Sequence, residues 1–215
     1  MTQSILTTIA DWAVSLMDVL GAPGAGAAIA LENLFPPLPS ELILPMAGLA
    51  ASRGSFTLVE ALVWTTLGST VGAYVLYALG AWLGEHRLRR IADRLPLMRG
   101  ADVDRSVSWF HRHGDAAVFF GRMLPLFRSF ISIPAGVARM NLWRFGALTA
   151  AGSLIWNSVF VSAGYLLGES WHVVEQYAAV LQWFVLASVG VTVVGFVVLR
   201  IRGIRQSRRE LEPTC

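Results

Sequence analysis

Long apolar stretches, separated by short polar or proline-rich breaks, run along most of this chain. Phe56–Gly84, Trp143–Gly168 and Tyr177–Leu199 are each long enough to form a helix that crosses a bilayer core about 30 Å thick. The N-terminal stretch Ile5–Leu20 is apolar but carries a polar stripe at helical spacing. This pattern predicts a helix in residues 1–22 that either lies in the membrane interface or spans the membrane. The stripe consists of Thr8, Asp11, Ser15 and Asp18.

Prolines interrupt the apolar stretch of residues 24–52. Pro37 and Pro39 lie in its centre, and proline ends a helix because it lacks a backbone N–H group. The arm Gly24–Phe35 would extend about 18 Å, which is less than the thickness of a bilayer core. We therefore predict a re-entrant helical hairpin that enters and leaves on the same side, with a bent spanning helix as the alternative.

Residues 116–141 repeat this form. A short apolar arm reaches a break at Pro125, and a second arm runs to a further break at Pro134 and Gly136. With an offset of 88 residues the two halves share several identities, and the matched prolines and glycines predict an internal repeat. The identical pairs are Pro37/Pro125, Leu38/Leu126, Ile43/Ile131, Gly48/Gly136, Tyr77/Tyr165, Leu79/Leu167 and Gly80/Gly168.

The positions of the basic residues, all of which are arginine, predict the topology. Most arginines lie in the polar connector of residues 85–115 and in the tail of residues 200–215. The positive-inside rule places both segments in the cytoplasm. The two hairpins then enter from opposite faces, which is the inverted repeat found in many secondary transporters. The predicted fold is an all-α polytopic membrane protein with two inverted re-entrant hairpins and about three to four transmembrane helices.

Composition supports a membrane protein and excludes several other classes. Hydrophobic residues make up 55% of the 215 residues and charged residues only 14%, which excludes an ordinary soluble domain and a disordered chain. A single cysteine cannot form an internal disulfide. No histidine falls in a predicted spanning segment, and no nucleophile–base arrangement, metal site or nucleic-acid motif is present in the sequence. We therefore expect no enzyme activity, no cofactor, no metal and no nucleic-acid partner.

Four ionisable side chains fall at bilayer depth in the predicted hairpins, and each costs about 2.5–3.5 kcal/mol at a helix centre. Glu32 and Glu41 flank the first break, and Arg122 and Arg128 flank Pro125. Two carboxylates in a region of low dielectric cannot both ionise cheaply, so one of them is expected to exchange a proton. Two arginines at a helix break can bind a phosphate group. The alternative is a purely structural pair of buried salt bridges.

The residues around these charges resemble the two signatures of the DedA family, also called the SNARE-associated or VTT domain family. The first signature matches Glu32–Glu41, followed by Gly48, and the second matches Gly121–Arg128, followed by Ile133–Gly136 and Met140. The resemblance covers about Ala25–Gly168. The chain departs from the family pattern at Ser40-Glu41, where several family members have Gly-Asp. This departure leaves the family subtype, and therefore the substrate, open.

The resemblance implies a bacterial inner-membrane protein that moves lipids between leaflets, with undecaprenyl phosphate as the first expectation and a phospholipid as the second. It also implies a link to the proton motive force. The family's functional residues carry over onto Glu32 and Glu41 for protons and onto Arg122 and Arg128 for the lipid phosphate. Asn157, in the middle of a predicted span, is expected either to support a hairpin by a hydrogen bond to one of its carbonyl groups or to serve helix packing.

Two alternatives to lipid transport remain open. A proton-coupled transporter of a small soluble anion could use the same four charges, and a non-transporting membrane assembly factor could use them as structural bridges. The expected partners are a membrane lipid and protons, and the pattern leaves both a monomer and a homo-oligomer open.

Overall fold

The computed structural model describes residues 2–34, 40–94, 100–124 and 127–168, and within these ranges every regular element is a helix. The predicted spanning helix of residues 177–199 and the basic tail lie outside the described residues. Residues 1–168 form one unit. The helices are α1 (Thr2–Leu20), α2 (Ala22–Leu34), α3 (Ser40–Ser52), α4 (Leu58–Arg94), α5 (Gly100–Gly121), α6 (Phe127–Phe130), α7 (Ser132–Val137) and α8 (Leu142–Leu166).

Two of these helices, α4 over Leu58–Arg90 and α8, are long and apolar enough to cross a membrane. A capping box fixes the start of α4, since Glu60 N donates to Thr57 Oγ1 and Thr57 N donates to the Glu60 carboxylate. Glu60 therefore has a local structural role. At the start of α8, the Asn141 side chain accepts hydrogen bonds from the backbone N–H groups of Trp143 and Arg144.

The polar connector predicted at residues 85–115 is not a separate element. It is divided between the end of α4, which bends at Gly84 (φ 61°, ψ 166°) and continues to Arg94, and the first part of α5. Glycine adopts this backbone conformation without the steric cost that a Cβ atom would impose. The bend lies where the apolar sequence of α4 gives way to charged residues, so the apolar segment of the helix ends at Gly84.

One face of α4 exposes an unbroken apolar stripe. Its residues recur every four positions, one per helical turn, and each is more than 40% exposed. An apolar surface of this length is unusual on a soluble protein and is typical of a helix in contact with lipid. The stripe consists of Val63, Leu67, Val71, Val75 and Leu79.

Helix α1 packs against α2 and α3 through its apolar face, where Ala13 and Met17 are buried. Asp11, Ser15 and Asp18 are exposed on the other face. Within the described part of the chain, no other helix covers these three side chains. An exposed polar face opposite a buried apolar one fits the prediction of a helix that lies in the membrane interface.

Around the first break, α2 and α3 are short helices of 13 residues each and contact each other. We call this pair the first hairpin. Around the second break, the long α5 ends at Gly121, and the chain continues through α6 and α7. We call the C-terminal end of α5 together with α6 and α7 the second hairpin.

The two hairpins therefore differ in form, because the first arm of the second hairpin is continuous with the connector. The predicted break at Pro134 and Gly136 is wrong, since both residues lie inside α7. Pro134 fits there because a proline in the first turn of a helix removes no intrahelical hydrogen bond. Pro37, Pro39 and Pro125 lie outside the described residues.

The second arm of each hairpin packs on the long helix of the other half, so that α3 contacts α8 and α7 contacts α4. Each contact is close enough that only glycine fits. A Cβ atom on Gly48 would overlap the Val161 carbonyl, and a Cβ atom on Gly136 would overlap the Tyr77 carbonyl.

The long helices contribute matching glycines to the same two contacts. Gly164 of α8 lies against the carbonyl of Pro45, and Gly80 of α4 lies against the carbonyl of Ile133. The aligned glycines Gly48 and Gly136 thus make equivalent contacts. The structural counterpart of Gly80 is Gly164, however, which is one helical turn away from the residue that the sequence offset aligns with it.

Candidate functional site

Glu32 and Arg128, predicted as site residues from opposite hairpins, form a buried ion pair. Arg128 Nη2 donates to the Glu32 carboxylate, and the two residues are 3% and 4% exposed, respectively. Glu32 lies near the end of α2, and Arg128 lies in the short α6 that follows the second break. Because its partners come from different hairpins, the pair joins the first hairpin to the second. Removing either partner would leave an isolated charge inside the protein, which is costly.

Arg122 lies beside this pair but contacts no carboxylate among the described residues. It is 2% exposed, directly after the end of α5. Its guanidinium donates from Nη1 to Asn33 Oδ1 (3.3 Å) and from Nη2 to Ser132 Oγ (3.1 Å), and both acceptors are neutral. Arg128 and Glu32 act on Arg122 only through longer-range charge interactions. Arg122 is thus a buried cation held by neutral groups.

Asn33, which sequence reasoning missed, connects the cluster to α4. Its Nδ2 donates to the backbone carbonyl groups of Ile29 (3.3 Å) and Ser69 (3.4 Å). Its Oδ1 accepts from Arg122 and from Ser129 Oγ (3.3 Å). The signal that could have identified it was an amide next to Glu32 in an otherwise apolar arm.

Glu41, the second predicted acid, lies in the first turn of α3 and is half-buried. No ion pair joins it to another described residue, although its charge acts on Glu32. It therefore lies near the buried cluster without forming part of its hydrogen-bond network. Next to it, Ser40 Oγ is buried and finds no hydrogen-bond partner among the described residues.

The buried part of the site has more basic than acidic groups. Glu32, Arg122 and Arg128 are the ionisable residues that are almost completely buried in the described part of the chain. The Nε atoms of both arginines are buried and have no partner there. Isolated buried charge and unused N–H donors are both costly. The arrangement is suited to binding an anion that accepts several hydrogen bonds.

Asn157 does not contact a hairpin carbonyl among the described residues. Its Nδ2 lies 3.4 Å from both Thr66 Oγ1 and Ser69 Oγ of α4, so it joins the two long helices. Asn33 donates to the backbone carbonyl of the same Ser69, so Ser69 links Asn157 to the charge cluster. No group of three or more His, Cys, Asp or Glu residues that could hold a metal occurs in the described part of the chain.

Comparison with protein-family models matches the VTT domain to residues 38–166, which include the second hairpin and both long apolar helices. The chain belongs to the DedA family. No solved structure matches the chain. The resemblance inferred from the sequence is therefore confirmed.

DedA relatives with curated names are similar over most of their length. An "Alkaline phosphatase-like protein" of Lactococcus lactis is 37% identical over 188 residues, covering 86% of each chain. "Undecaprenyl phosphate transporter A" of Staphylococcus aureus is 36% identical over 145 residues, covering 66% of this chain and 71% of the relative. "Inner membrane protein YqjA" of Escherichia coli is 27% identical over 143 residues, or 65% of this chain and 64% of the relative. These names and the apolar helices support the predicted membrane location.

Proposed function

We propose that this DedA protein is a transporter that moves an anionic lipid between the leaflets of the bacterial inner membrane, with its C-terminus in the cytoplasm. The observation that carries the proposal is Arg122, a fully buried cation whose described partners are all neutral. Phosphate is a suitable ligand because it brings both negative charge and several acceptor oxygens. Relatives named as undecaprenyl phosphate transporters make that lipid the first candidate and a phospholipid the second.

Membrane placement of the hairpins is part of the proposal. Each arm of the first hairpin has 13 residues, or about 20 Å at 1.5 Å per residue, which is less than a bilayer core of about 30 Å. The equivalent glycine contacts of α3 with α8 and of α7 with α4 support an inverted repeat. In that arrangement, Arg122 and Arg128 lie near the midplane, where the headgroup crosses while the lipid tail stays in the bilayer.

Exchange of partners at Arg128 would link transport to protons. In the structure Arg128 is paired with Glu32. A phosphate group that binds Arg128 competes with this carboxylate, and Glu32 would then be a buried charge without its partner. Taking up a proton removes that cost. Phosphate binding and proton uptake at Glu32 would thus occur together, and Glu41, whose charge acts on Glu32, is placed to pass the proton on.

The relatives named as transporters favour this role over an enzyme, and no described feature favours a small soluble anion or an assembly factor over a lipid. Both alternatives make different predictions. A transporter of soluble anions would not depend on a long lipid tail. A structural assembly factor would tolerate exchange of Glu32 and Arg128, since an ion pair remains.

The test is a leaflet-exposure assay in proteoliposomes that contain labelled undecaprenyl phosphate or a labelled phospholipid, with and without a pH gradient. The wild-type protein should move lipid, and the pH gradient should change the rate. Arg128→Ala should stop movement because the phosphate loses one of its two cations, and Glu32→Gln should stop it because partner exchange is lost.

Retained secondary structure by circular dichroism must accompany each loss of movement. A folded wild-type protein that moves neither lipid would contradict the proposal. So would full activity in both Arg122→Ala and Arg128→Ala.

A further inference from the structure

The amide of Asn33 is held in one orientation by four neighbours. Its Nδ2 side faces the carbonyl groups of Ile29 and Ser69, and its Oδ1 side faces the donors of Arg122 and Ser129. Turning the amide over would set its N–H groups against the guanidinium and leave both carbonyl groups without a donor. The oxygen that Arg122 contacts is therefore fixed by the surrounding helices.

A neutral oxygen binds the Arg122 guanidinium less strongly than a carboxylate would. An aspartate has nearly the same shape as asparagine and would turn the hydrogen bond that Arg122 already donates into an ion pair. The chain does place a carboxylate on the preceding residue, Glu32, but that group pairs with Arg128. Arg122 is thus positioned without being neutralised.

The two undescribed breaks beside the site cannot supply the missing acid. Residues 35–39 and 125–126 contain only phenylalanine, proline and leucine. In the described part of the chain, the half-buried Glu41 is the remaining acid whose charge acts on the cluster, and no ion pair joins it to Arg122. Ser132, the other partner of Arg122, is neutral as well.

We propose that Asn33 is a specificity-determining residue, which orients the Arg122 guanidinium through a neutral oxygen and so keeps its charge available for a phosphate group. The inference rests on the proposed function and deepens it, because it states how the site selects an anion over a neutral headgroup. The phosphate could belong to a lipid or be free. The same neutral contact serves both sources.

Asn33→Asp tests the charge with almost no change in shape. The full chain would be placed in phosphatidylcholine nanodiscs and titrated with dioleoyl phosphatidate, with dioleoylglycerol as the uncharged lipid and inorganic phosphate as the free anion. Wild type should bind phosphatidate and not dioleoylglycerol. Asn33→Asp should bind phosphatidate at least about tenfold more weakly, a change of about 1.4 kcal/mol. Its melting temperature without ligand checks that the variant still folds, because the ion pair gained with Arg122 opposes the loss of the donor to the Ile29 and Ser69 carbonyl groups.

Two further variants separate charge from geometry. Ser132→Ala removes the other neutral partner of Arg122 without adding charge, and should change phosphatidate affinity by less than about threefold, below 1 kcal/mol. The double variant Glu32→Gln/Asn33→Asp restores the original number of carboxylates in the cluster. Because a carboxylate still contacts Arg122 in this variant, it should bind phosphatidate about as weakly as Asn33→Asp. Recovery of wild-type affinity would show that the number of carboxylates in the cluster, and not the partner of Arg122, sets the affinity.

The effect of Asn33→Asp on the affinity for phosphatidate, compared with its effect on the affinity for inorganic phosphate, identifies the source of the phosphate group. A loss limited to phosphatidate supports selection of a lipid headgroup, and an equal loss of inorganic phosphate supports selection of the phosphate group alone. Unchanged phosphatidate affinity in Asn33→Asp would overturn the inference. Should that variant not fold, wild-type phosphatidate affinity in the double variant would overturn it equally.

Failure of the inference is distinguishable from failure of the proposed function. If wild type binds phosphatidate in the Asn33-dependent way but moves no lipid between leaflets, the transport proposal fails alone. If wild type moves lipid but Asn33→Asp binds like wild type, only the role of Asn33 is wrong.

Discussion

The two hairpins contribute opposite chemistry to one buried cluster. The first provides an acid and an amide, Glu32 and Asn33, which both bond to the arginines of the second. The second provides Arg122 and Arg128, and each of these keeps a buried Nε donor without a described partner. In the charge cluster, the buried N–H donors that remain for a ligand therefore lie on the second hairpin, and the first holds the arginines in place.

Stability measurements on the two arginines should separate these roles and give the largest effect. Arg128→Gln leaves Glu32 buried without its partner and should lower the free energy of unfolding by about 3–5 kcal/mol. Arg122→Gln should lower it by less than Arg128→Gln does, because removing a buried cation without a described carboxylate partner offsets the loss of its hydrogen bonds to Asn33 and Ser132. Urea unfolding in mixed micelles, followed by circular dichroism, measures both.

The double variant Glu32→Gln/Arg128→Gln is the matched control for the ion pair. Without any buried charge at that position, it should recover most of the stability lost in Arg128→Gln. Equal losses in the two single arginine variants would mean that Arg122 also stabilises the fold. The contrast between the two residues would then be lost.

Substitutions at the equivalent glycines test whether the hairpins pack alike. Gly48→Ala and Gly136→Ala each drive a methyl group into the backbone of the facing long helix, and each should cost about 1–3 kcal/mol. The two losses should be similar because the contacts are equivalent. Thermal unfolding of the purified protein in detergent provides the comparison.

The control for this pair is Gly114→Ala in α5. The nearest atom to its new methyl group is at the far end of the Phe110 ring, 2.8 Å away. A side chain can move where a backbone cannot, and alanine favours the helix by up to about 1 kcal/mol. A loss at Gly114 as large as those at Gly48 and Gly136 would show that the two contacts are not special.

The smallest effect is expected for a link outside the cluster, between α5 and α8. Asp115 accepts a hydrogen bond from Arg144 in an ion pair whose side chains are 43% and 65% exposed, respectively. Exposed pairs contribute about 0–1 kcal/mol, so Arg144→Ala should shift the melting temperature little, and less at high salt. A loss comparable to that of Arg128→Gln would remove the distinction between buried and exposed pairs.

Pattern and family resemblance together predicted much of this arrangement. The apolar stretches predicted the long helices, and prolines predicted that the arms of the first hairpin would be short. Four ionisable residues were identified as a set because such groups are costly in apolar segments, namely Glu32, Glu41, Arg122 and Arg128. The structure brings Glu32, Arg122 and Arg128 together and leaves Glu41 outside their hydrogen-bond network.

Tertiary contacts that leave no trace in local sequence could not be predicted. Periodicity does not show which acid meets which base, so the pairing of Glu32 with Arg128 and the half-buried position of Glu41 required the fold. Asn33 was missed because a single amide in an apolar helix is also common in helix packing. Pro134 was misplaced as a break because proline is equally compatible with the first turn of a helix.

The contact between α3 and α8 limits when the first hairpin can complete its packing during synthesis. The face of α3 around Gly48 packs on α8, but α8 begins at Leu142, long after α3 has ended at Ser52. At about 5–20 residues per second, a ribosome needs roughly 5–18 s to synthesise the intervening chain. During that interval the nascent first hairpin cannot make its final contact. Synthesis of α8 is therefore the step that lets α3 reach its partner.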